Sequence, residues 1–220
     1  MSRLPLLKDN RGAISLLLSQ IGLLLATGVL IGAIASLTFY NDWQKEAEAK
    51  NIASHFATAV ESMDLKEFPG QTTYLFPQKN YRYEVLISTD YITIVREDGT
   101  TTDKIIGRKT LLIKPYVRPI ERNWRWNNSE ELHNFLKDIH LNDVSGHSGY
   151  ADDPFPIDQK NEITTYLKDE LSDTATKLAN EPLHLENEDE PVFIEKTFIY
   201  FEKDGNLERY GIVIIHQKGG

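Results

Sequence analysis

The feature that most constrains this chain is an uninterrupted uncharged run near its amino terminus. Residues 13–39 read AISLLLSQIGLLLATGVLIGAIASLTF and include fourteen Leu, Ile, Val and Phe residues. An α-helix rises ~1.5 Å per residue, so the run would extend roughly 40 Å, more than the ~30 Å hydrocarbon core of a bilayer. Each of the fourteen side chains favours insertion by about 0.3–0.6 kcal/mol. The serine and threonine hydroxyls can bond back to the helix, so the run predicts one transmembrane helix.

The charges that flank the run predict its orientation. Arg3, Lys8 and Arg11 precede it against a single acidic residue, whereas acidic residues predominate directly after it. Basic flanks are retained in the cytoplasm. We therefore expect residues 1–12 in the cytoplasm, a single pass through the cell membrane, and the carboxyl-terminal part of the chain outside the cell.

The junction between the polar leader and the apolar run has the features of a processing site. The leader MSRLPLLKDNRG ends in Arg11-Gly12 and is followed at once by Ala13 and the helix. This arrangement resembles the precursors of archaeal type IV pilins, which carry a class III signal peptide. The resemblance covers the leader and the long helix, and implies that a prepilin-type peptidase cuts between Gly12 and Ala13. Leu17 stands where bacterial pilins usually carry a glutamate, so the resemblance is to the archaeal branch.

Two other interpretations of the amino-terminal segment are compatible with the sequence. Ala33-Ile34-Ala35 supplies the A-x-A tripeptide of a secretory cleavage site, although the apolar run ahead of it exceeds the ~7–15 residues of such a signal. An uncleaved signal anchor is the second alternative, since no residue argues against it.

Small residues recur at four-residue spacing within the apolar run. Gly28 and Gly32 form a G-x-x-x-G pair that Ser36 extends, and Gly22 with Ala26 forms another such pair. This spacing lets helix backbones approach closely in lipid. Together with the resemblance, it implies four partners: membrane lipid, the prepilin-type peptidase, other pilin-like subunits and further copies of this chain.

Beyond residue 39 the helix is predicted to continue as an amphipathic segment to about Met63. No Gly or Pro interrupts it, and apolar residues recur at steps of three and four. The chain is thus predicted to comprise a leader (1–12), a long helix (13–63, spanning the membrane over 13–39) and an exported head (64–220). The predicted inward face of the amphipathic segment consists of Ala49, Ile52, Ala53, Phe56, Ala59, Val60 and Met63.

The head is predicted to be rich in antiparallel strands. Alternating side chains over 81–88 and apolar runs over 91–95 and 111–113 each predict a strand. Residues 192–201 and 207–216, separated by Asp204-Gly205, predict a β-hairpin. Its second strand is apolar on both faces over 212–215, which indicates a central position in the sheet.

Helical spacing predicts two helices inserted between these strands. One begins near Asn128, which with Glu131 forms a capping box, and the other begins near Asp158. The predicted fold class is therefore α+β: a long transmembrane and amphipathic helix followed by an antiparallel β-rich head with two inserted helices.

Composition excludes several kinds of function. The formal net charge of −9 leaves no basic stripe for nucleic acid, and the absence of cysteine removes thiolate chemistry. His133, His140 and His147 lack the H-x-x-x-H spacing of a zinc site and are interpreted as surface residues. The loop residues Asn142, Asp143, Asp152 and Asp153 match no standard calcium loop. We predict no catalytic residue, no cofactor, no metal site and no nucleic-acid partner.

Two features of the head point to contact or modification at the cell surface. Trp124 and Trp126, two residues apart, predict either an adhesive patch or core packing. Asn127-Asn128-Ser129 is an N-glycosylation sequon with Asn127 as the acceptor.

The leading hypothesis is a non-enzymatic, pilin-like subunit of an archaeal cell-surface type IV filament, with a head longer than a bulk subunit needs and more typical of a minor pilin or an adhesin. The second hypothesis is a single-pass, membrane-anchored extracytoplasmic module that binds a ligand or acts as a stator without polymerising. The third is an exported hydrolase whose residues match no motif.

Overall fold

The computed structural model describes residues 11–96, 104–118, 126–138, 146–185 and 190–217, and the side chains from residue 16 onward. The chain divides into two compact units, Met1–Lys45 and Glu46–Gly220, and the division falls within the first helix. The chain is α+β with a long amino-terminal apolar helix, which confirms the predicted class at that level.

Helix α1 spans Arg11–Asp64, close to the predicted bounds. Its last nineteen residues, 46–64, belong to the second unit and bury one face there. Ala59 is only partly buried and Ala57 is buried in addition, but the remainder of the predicted inward face is confirmed. Ion pairs from Lys104 to Glu46 (3.0 Å) and from Lys79 to Glu48 (3.1 Å) fix the first turn of this segment to the head.

The described part of the head contains nine strands in two sheets. The first sheet has the order β1-β8-β9-β5, with β6 also pairing with β8, and the second has the order β4-β3-β2-β7. The strands are β1 Gly70–Tyr74, β2 Tyr83–Ile87, β3 Tyr91–Arg96, β4 Lys104–Thr110, β5 Tyr116–Val117, β6 Phe155–Pro156, β7 Leu183–His184, β8 Val192–Lys203 and β9 Asn206–Gln217.

The predicted hairpin forms the centre of the first sheet. β8 and β9 pair antiparallel from Val192↔Gln217 to Lys203↔Asn206. Asp204 and Gly205 join them with φ of 52° and 79°, which is the left-handed backbone of a two-residue hairpin turn. β9 lies between β8 and β5, so the prediction of a central strand is confirmed.

Alternation along the hairpin explains why both of its faces are apolar. On one face Val192, Ile194, Val213 and Ile215 join a first core shared with residues 46–64 of α1 and with the second sheet. On the other face Ile199, Phe201, Ile212 and Ile214 join a second core with the head's two further helices. Successive residues of a strand point to opposite faces, so an unbroken apolar run is what a doubly covered strand requires.

Those helices are α2, Ser129–Asp138, and α3, Lys160–Asn180, which follows a 3-10 turn at Ile157–Gln159. The capping box at α2 is present with its second bond shifted by one residue: Asn128 Oδ1 accepts the Glu131 N–H at 2.8 Å. The Glu131 carboxylate in turn accepts the N–H of Asn127 at 2.9 Å. The buried residues of α3 are Ile163, Leu167, Thr174 and Leu178.

Three expectations from the sequence are wrong. Residues 111–113 do not form a strand, because the strand lies earlier, at β4, and ends at Thr110. The first sheet is mixed rather than purely antiparallel, since β5 runs parallel to β9 and β6 runs parallel to β8. His133 is not a surface residue but is fully buried.

A close contact between α1 and the second sheet depends on a glycine. A Cβ atom at Gly107 would lie 2.8 Å from the carbonyl carbon and 3.0 Å from the Cβ of Ala49. Gly107 pairs with Ile94 beside a register shift in the β3–β4 ladder. The absence of a side chain there lets the helix approach the backbone of β4 directly.

Candidate functional site: the exposed apolar helix and the polar clusters of the head

The largest exposed apolar surface in the described chain lies on α1. Every residue from 16 to 41 is exposed, and the large apolar side chains among them are Leu16, Leu17, Leu18, Ile21, Leu23, Leu24, Leu25, Val29, Leu30, Ile31, Ile34, Leu37 and Phe39. Monomers in water rarely expose so large a continuous apolar surface. Among the described residues, α1 is the one helix long and apolar enough to cross a membrane.

Three hydroxyl groups within this segment are bonded to the helix itself. The hydroxyls of Thr27 and Ser36 donate to the carbonyl oxygens of Leu23 and Gly32 at 2.8 Å, and Thr38 donates to the residue four before it at 3.0 Å. A hydroxyl that is already bonded costs much less to remove from water. The sequence-based expectation of back-bonded hydroxyls is therefore confirmed at these three positions.

Gly28, Gly32 and Ser36 leave one strip of the helix open, and Gly22 with Ala26 forms a second row about 120° around the helix. No heavy atom comes within 4 Å of a Cβ built at Gly22, Gly28 or Gly32. Ala26 and Ser36, the other small residues of the two rows, are exposed. The strip is therefore free for the backbone of another helix to approach, which is the geometry that small-xxx-small spacing permits.

The apolar segment begins in the first turn of α1 and ends beside a pair of aromatic residues. At the amino-terminal end, Arg11, Gly12 and Ala13 form the first turn of α1, while residues 1–10 of the leader lie outside the described residues. At the other end, Tyr40 and Trp43 are exposed with their ring centroids 6.3 Å apart. Exposed aromatic rings of this kind are enriched where a membrane meets water.

In the head, the Asp153 carboxylate holds a tight loop together through hydrogen bonds to its neighbours. Its Oδ2 accepts bonds from the backbone N–H and the hydroxyl of Ser148, both at 2.8 Å, and its Oδ1 lies 2.8 Å from His147 Nδ1. Hydrogen bonds from His147 and Ser148 hold the pKa of Asp153 below its usual range. The Ser148 hydroxyl donates to the carboxylate and not to His147, so these three side chains do not have the Ser–His–Asp order of a catalytic triad.

The same loop is fastened to the sheet through His133. Its Nδ1 lies 2.7 Å from the carbonyl oxygen of Ser148, its Nε2 lies 3.0 Å from Thr197 Oγ1, and its ring stacks on Tyr150 at 3.7 Å. Burial lowers the pKa of His133, against the opposing effect of the Ser148 hydrogen bond. Tyr200 donates its N–H to Gly149 O at 2.9 Å, so the loop also covers the edge of β8 between β1 and β6.

A second buried polar cluster joins α2 to the hairpin. Glu195, 8% exposed on β8, accepts the N–H of Ser129 at 2.8 Å and pairs with His216 Nε2 at 3.1 Å. Burial alone would raise the pKa of Glu195, but the bonds from His216 and from the backbone and hydroxyl of Ser129 together lower it. The carboxylate therefore stays ionised where the amino terminus of α2 presents its unpaired N–H groups.

The other predicted site residues fall as follows. No group of three or more His, Asp or Glu side chains that could hold a metal occurs among the described residues. Trp126 is buried and stacks on Tyr116 at 3.7 Å between ring centroids, so it packs in the core, while Trp124 lies outside the described residues. Asn127 is half-buried just before α2. His140, Asn142 and Asp143 also lie outside them.

Comparison of the chain with protein-family models, with curated proteins and with solved structures gave no match in any of the three. Function is therefore inferred from the chain's own residues.

Sequence reasoning missed the partners of three buried polar residues. The Lys196 ammonium lies 2.5 Å from Asp64 at the end of α1, and Glu195 and His133 are paired as described above. Lys196 and Glu195 interrupt an otherwise apolar strand, which is a signal that each has a partner. The identity of the partner depends on long-range packing and has no sequence signal.

Proposed function

We propose that this chain is a non-enzymatic, pilin-like subunit of an archaeal cell-surface type IV filament, assembling through its amino-terminal apolar helix. The observation that carries the proposal is the exposed apolar surface of residues 16–41, since it requires either lipid or neighbouring helices around it. A subunit that is stored in the membrane and then packed into a filament core uses both environments in turn.

The proposed topology follows from the charges and from the aromatic pair. The basic leader stays in the cytoplasm, Tyr40 and Trp43 lie at the outer surface of the membrane, and the acidic head is extracellular. The prepilin-type peptidase would cut between Gly12 and Ala13, leaving the helix on the mature chain. The long head supports a minor pilin or an adhesin rather than a bulk subunit.

The proposal of a non-enzymatic role is supported by the polar clusters of the head. The Ser148 hydroxyl donates to Asp153, and the paired side chains of Glu195 and His216 serve the start of α2. In each cluster the polar side chains hold part of the fold together: a loop in the first cluster and the start of α2 in the second.

The mature amino terminus is the first test. A chain beginning at Ala13 supports the pilin-like subunit, whereas Met1 or Ser2 would indicate the alternative, an uncleaved single-pass module that binds or acts as a stator. A chain beginning at Ser36 would indicate a freely secreted head. Substituting both Arg11 and Gly12 should block processing in the first case alone.

Assembly through the open strip is the second test. Gly28→Leu with Gly32→Leu places two branched side chains on the strip, and we expect loss of cross-linked oligomers in membranes. The matched control is Leu30→Phe with Ile34→Phe. These positions follow the two glycines by about two residues, so the larger side chains lie on the opposite side of the helix. Equal cross-linking of both variants would exclude assembly through the strip, and a wild-type chain that forms no cross-linked oligomers would favour a monomeric anchor.

A further inference from the structure

The segment that leads into α2 carries the sequon Asn127-Asn128-Ser129, and the fold uses its three residues differently. The N–H of Asn127 donates to Glu131, and the side chain of Asn128 caps the helix. Neither bond involves the side-chain amide of Asn127. The acceptor group of the sequon is therefore not part of the cap.

The third residue of the sequon is held by the sheet. The N–H of Ser129, the first residue of α2, donates to Glu195 Oε2 at 2.8 Å. Glu195 is itself fixed by His216. Once α2 has packed on β8, the backbone of the residue that supplies the sequon's hydroxyl is therefore fixed against the sheet.

We propose that Asn127 is the acceptor for an N-linked glycan, attached during export and before α2 packs against β8. In the transfer, the Asn127 side-chain nitrogen bonds to the anomeric carbon of a lipid-linked sugar phosphate, loses one proton, and the lipid phosphate leaves. This inference rests on the proposed function, because only an exported head meets such a transferase.

The finished fold is compatible with the modification. Asn127 contacts the start of α2 through its backbone N–H, and the cap is the side chain of Asn128. A sugar on the side-chain nitrogen of Asn127 therefore leaves both bonds intact. A sequon needs Ser or Thr two positions after its asparagine. Glu130 occupies that position for Asn128, so Asn128 is not an acceptor. The adjacent asparagines therefore provide an internal control.

The site is tested by synthesising the full chain with endoplasmic-reticulum microsomes. We expect a product whose head is shielded from added protease and whose peptide containing Asn127 gains the mass of a glycan. Asn127→Gln and Ser129→Ala should lose the added mass, whereas Asn128→Gln and Ser129→Thr should keep it. A shielded head with an unmodified Asn127 overturns this inference alone. A head digested by the protease overturns the proposed topology as well.

The order of events is tested on purified, folded full-length chain in detergent, incubated with the transferase and its lipid-linked donor. Wild type should gain no glycan, and the same chain incubated after denaturation should become modified. Asn128→Gln, which removes the cap but keeps the sequon, should be modified in the folded state at least several-fold more than wild type. Equal modification of folded and denatured wild type would overturn the proposed order. Near-ultraviolet circular dichroism verifies that the variant is folded.

Discussion

Gly107→Ala tests whether the close packing of α1 on β4 stabilises the head. The new Cβ would lie 2.8 Å from the carbonyl carbon and 2.9 Å from the carbonyl oxygen of Ala49. Carbon atoms in contact prefer 3.5–4.0 Å, so one backbone must move away by roughly 0.7 Å. Both groups are main chain, so no rotamer change relieves the overlap.

We expect this overlap to cost about 2 kcal/mol of unfolding free energy, as for other overpacked cores. In a domain of this size that lowers the Tm by roughly 4–8 °C. The measurement is thermal unfolding of the detergent-solubilised chain, followed by near-ultraviolet circular dichroism. Gly70→Ala is the matched control, because a Cβ at Gly70 meets nothing within 4 Å. Equal Tm values for the two variants would refute the reasoning.

Three further predictions concern other parts of the chain. His133→Ala should lower the free energy of unfolding by about 2–3 kcal/mol, because it leaves the carbonyl of Ser148 and the buried hydroxyl of Thr197 without this partner. Burial lowers the pKa of His133, so the unfolded chain binds the proton first. Wild-type stability contributed by His133 is thus present above pH ~6.5 and is lost as the pH falls below it. Urea titrations of wild type and His133→Ala should show that the difference between their unfolding free energies becomes smaller as the pH falls below ~6.5. A difference that does not change with pH would contradict the lowered pKa of His133. Lys196→Met should change the free energy of unfolding, measured by urea titration, by less than about 1 kcal/mol, because Asp64 is 38% exposed and remains hydrated. A larger loss would indicate that the ion pair is shielded from water. Leu24→Arg with Leu30→Arg should abolish membrane retention in alkaline extraction, since each arginine costs about 2.5–3.5 kcal/mol, whereas Leu24→Phe should be retained.

The sequence predicted best where periodicity alone decides structure. The apolar face of residues 46–64, the Asp204-Gly205 turn and the capping box at Asn128 depend on local spacing, and all three are present. Prediction failed where a short apolar run had no periodic context: residues 111–113 are apolar, but the strand ends at Thr110. The two parallel pairings, each of two residues, are too short to leave a pattern.

The polar residues of the head show the same division. Glu195 and Lys196 interrupt an otherwise apolar strand, yet nothing in the sequence identifies the groups that pair with them. Their partners, His216 and Asp64, lie 21 and 132 residues away in the chain. His133 was misjudged for a related reason, since its burial depends on contacts with Ser148 and Thr197.

The sequence by itself determined that this chain has an apolar amino-terminal helix, an α+β head and a central hairpin. Each of these follows from hydrophobic periodicity and turn chemistry, which act over a few residues. Only the tertiary structure decided that both faces of the hairpin are covered, that His133 fastens a loop to the sheet, and that Ser129 is bound by Glu195. Those features arise when distant segments exclude water together, so no local stretch of sequence encodes them.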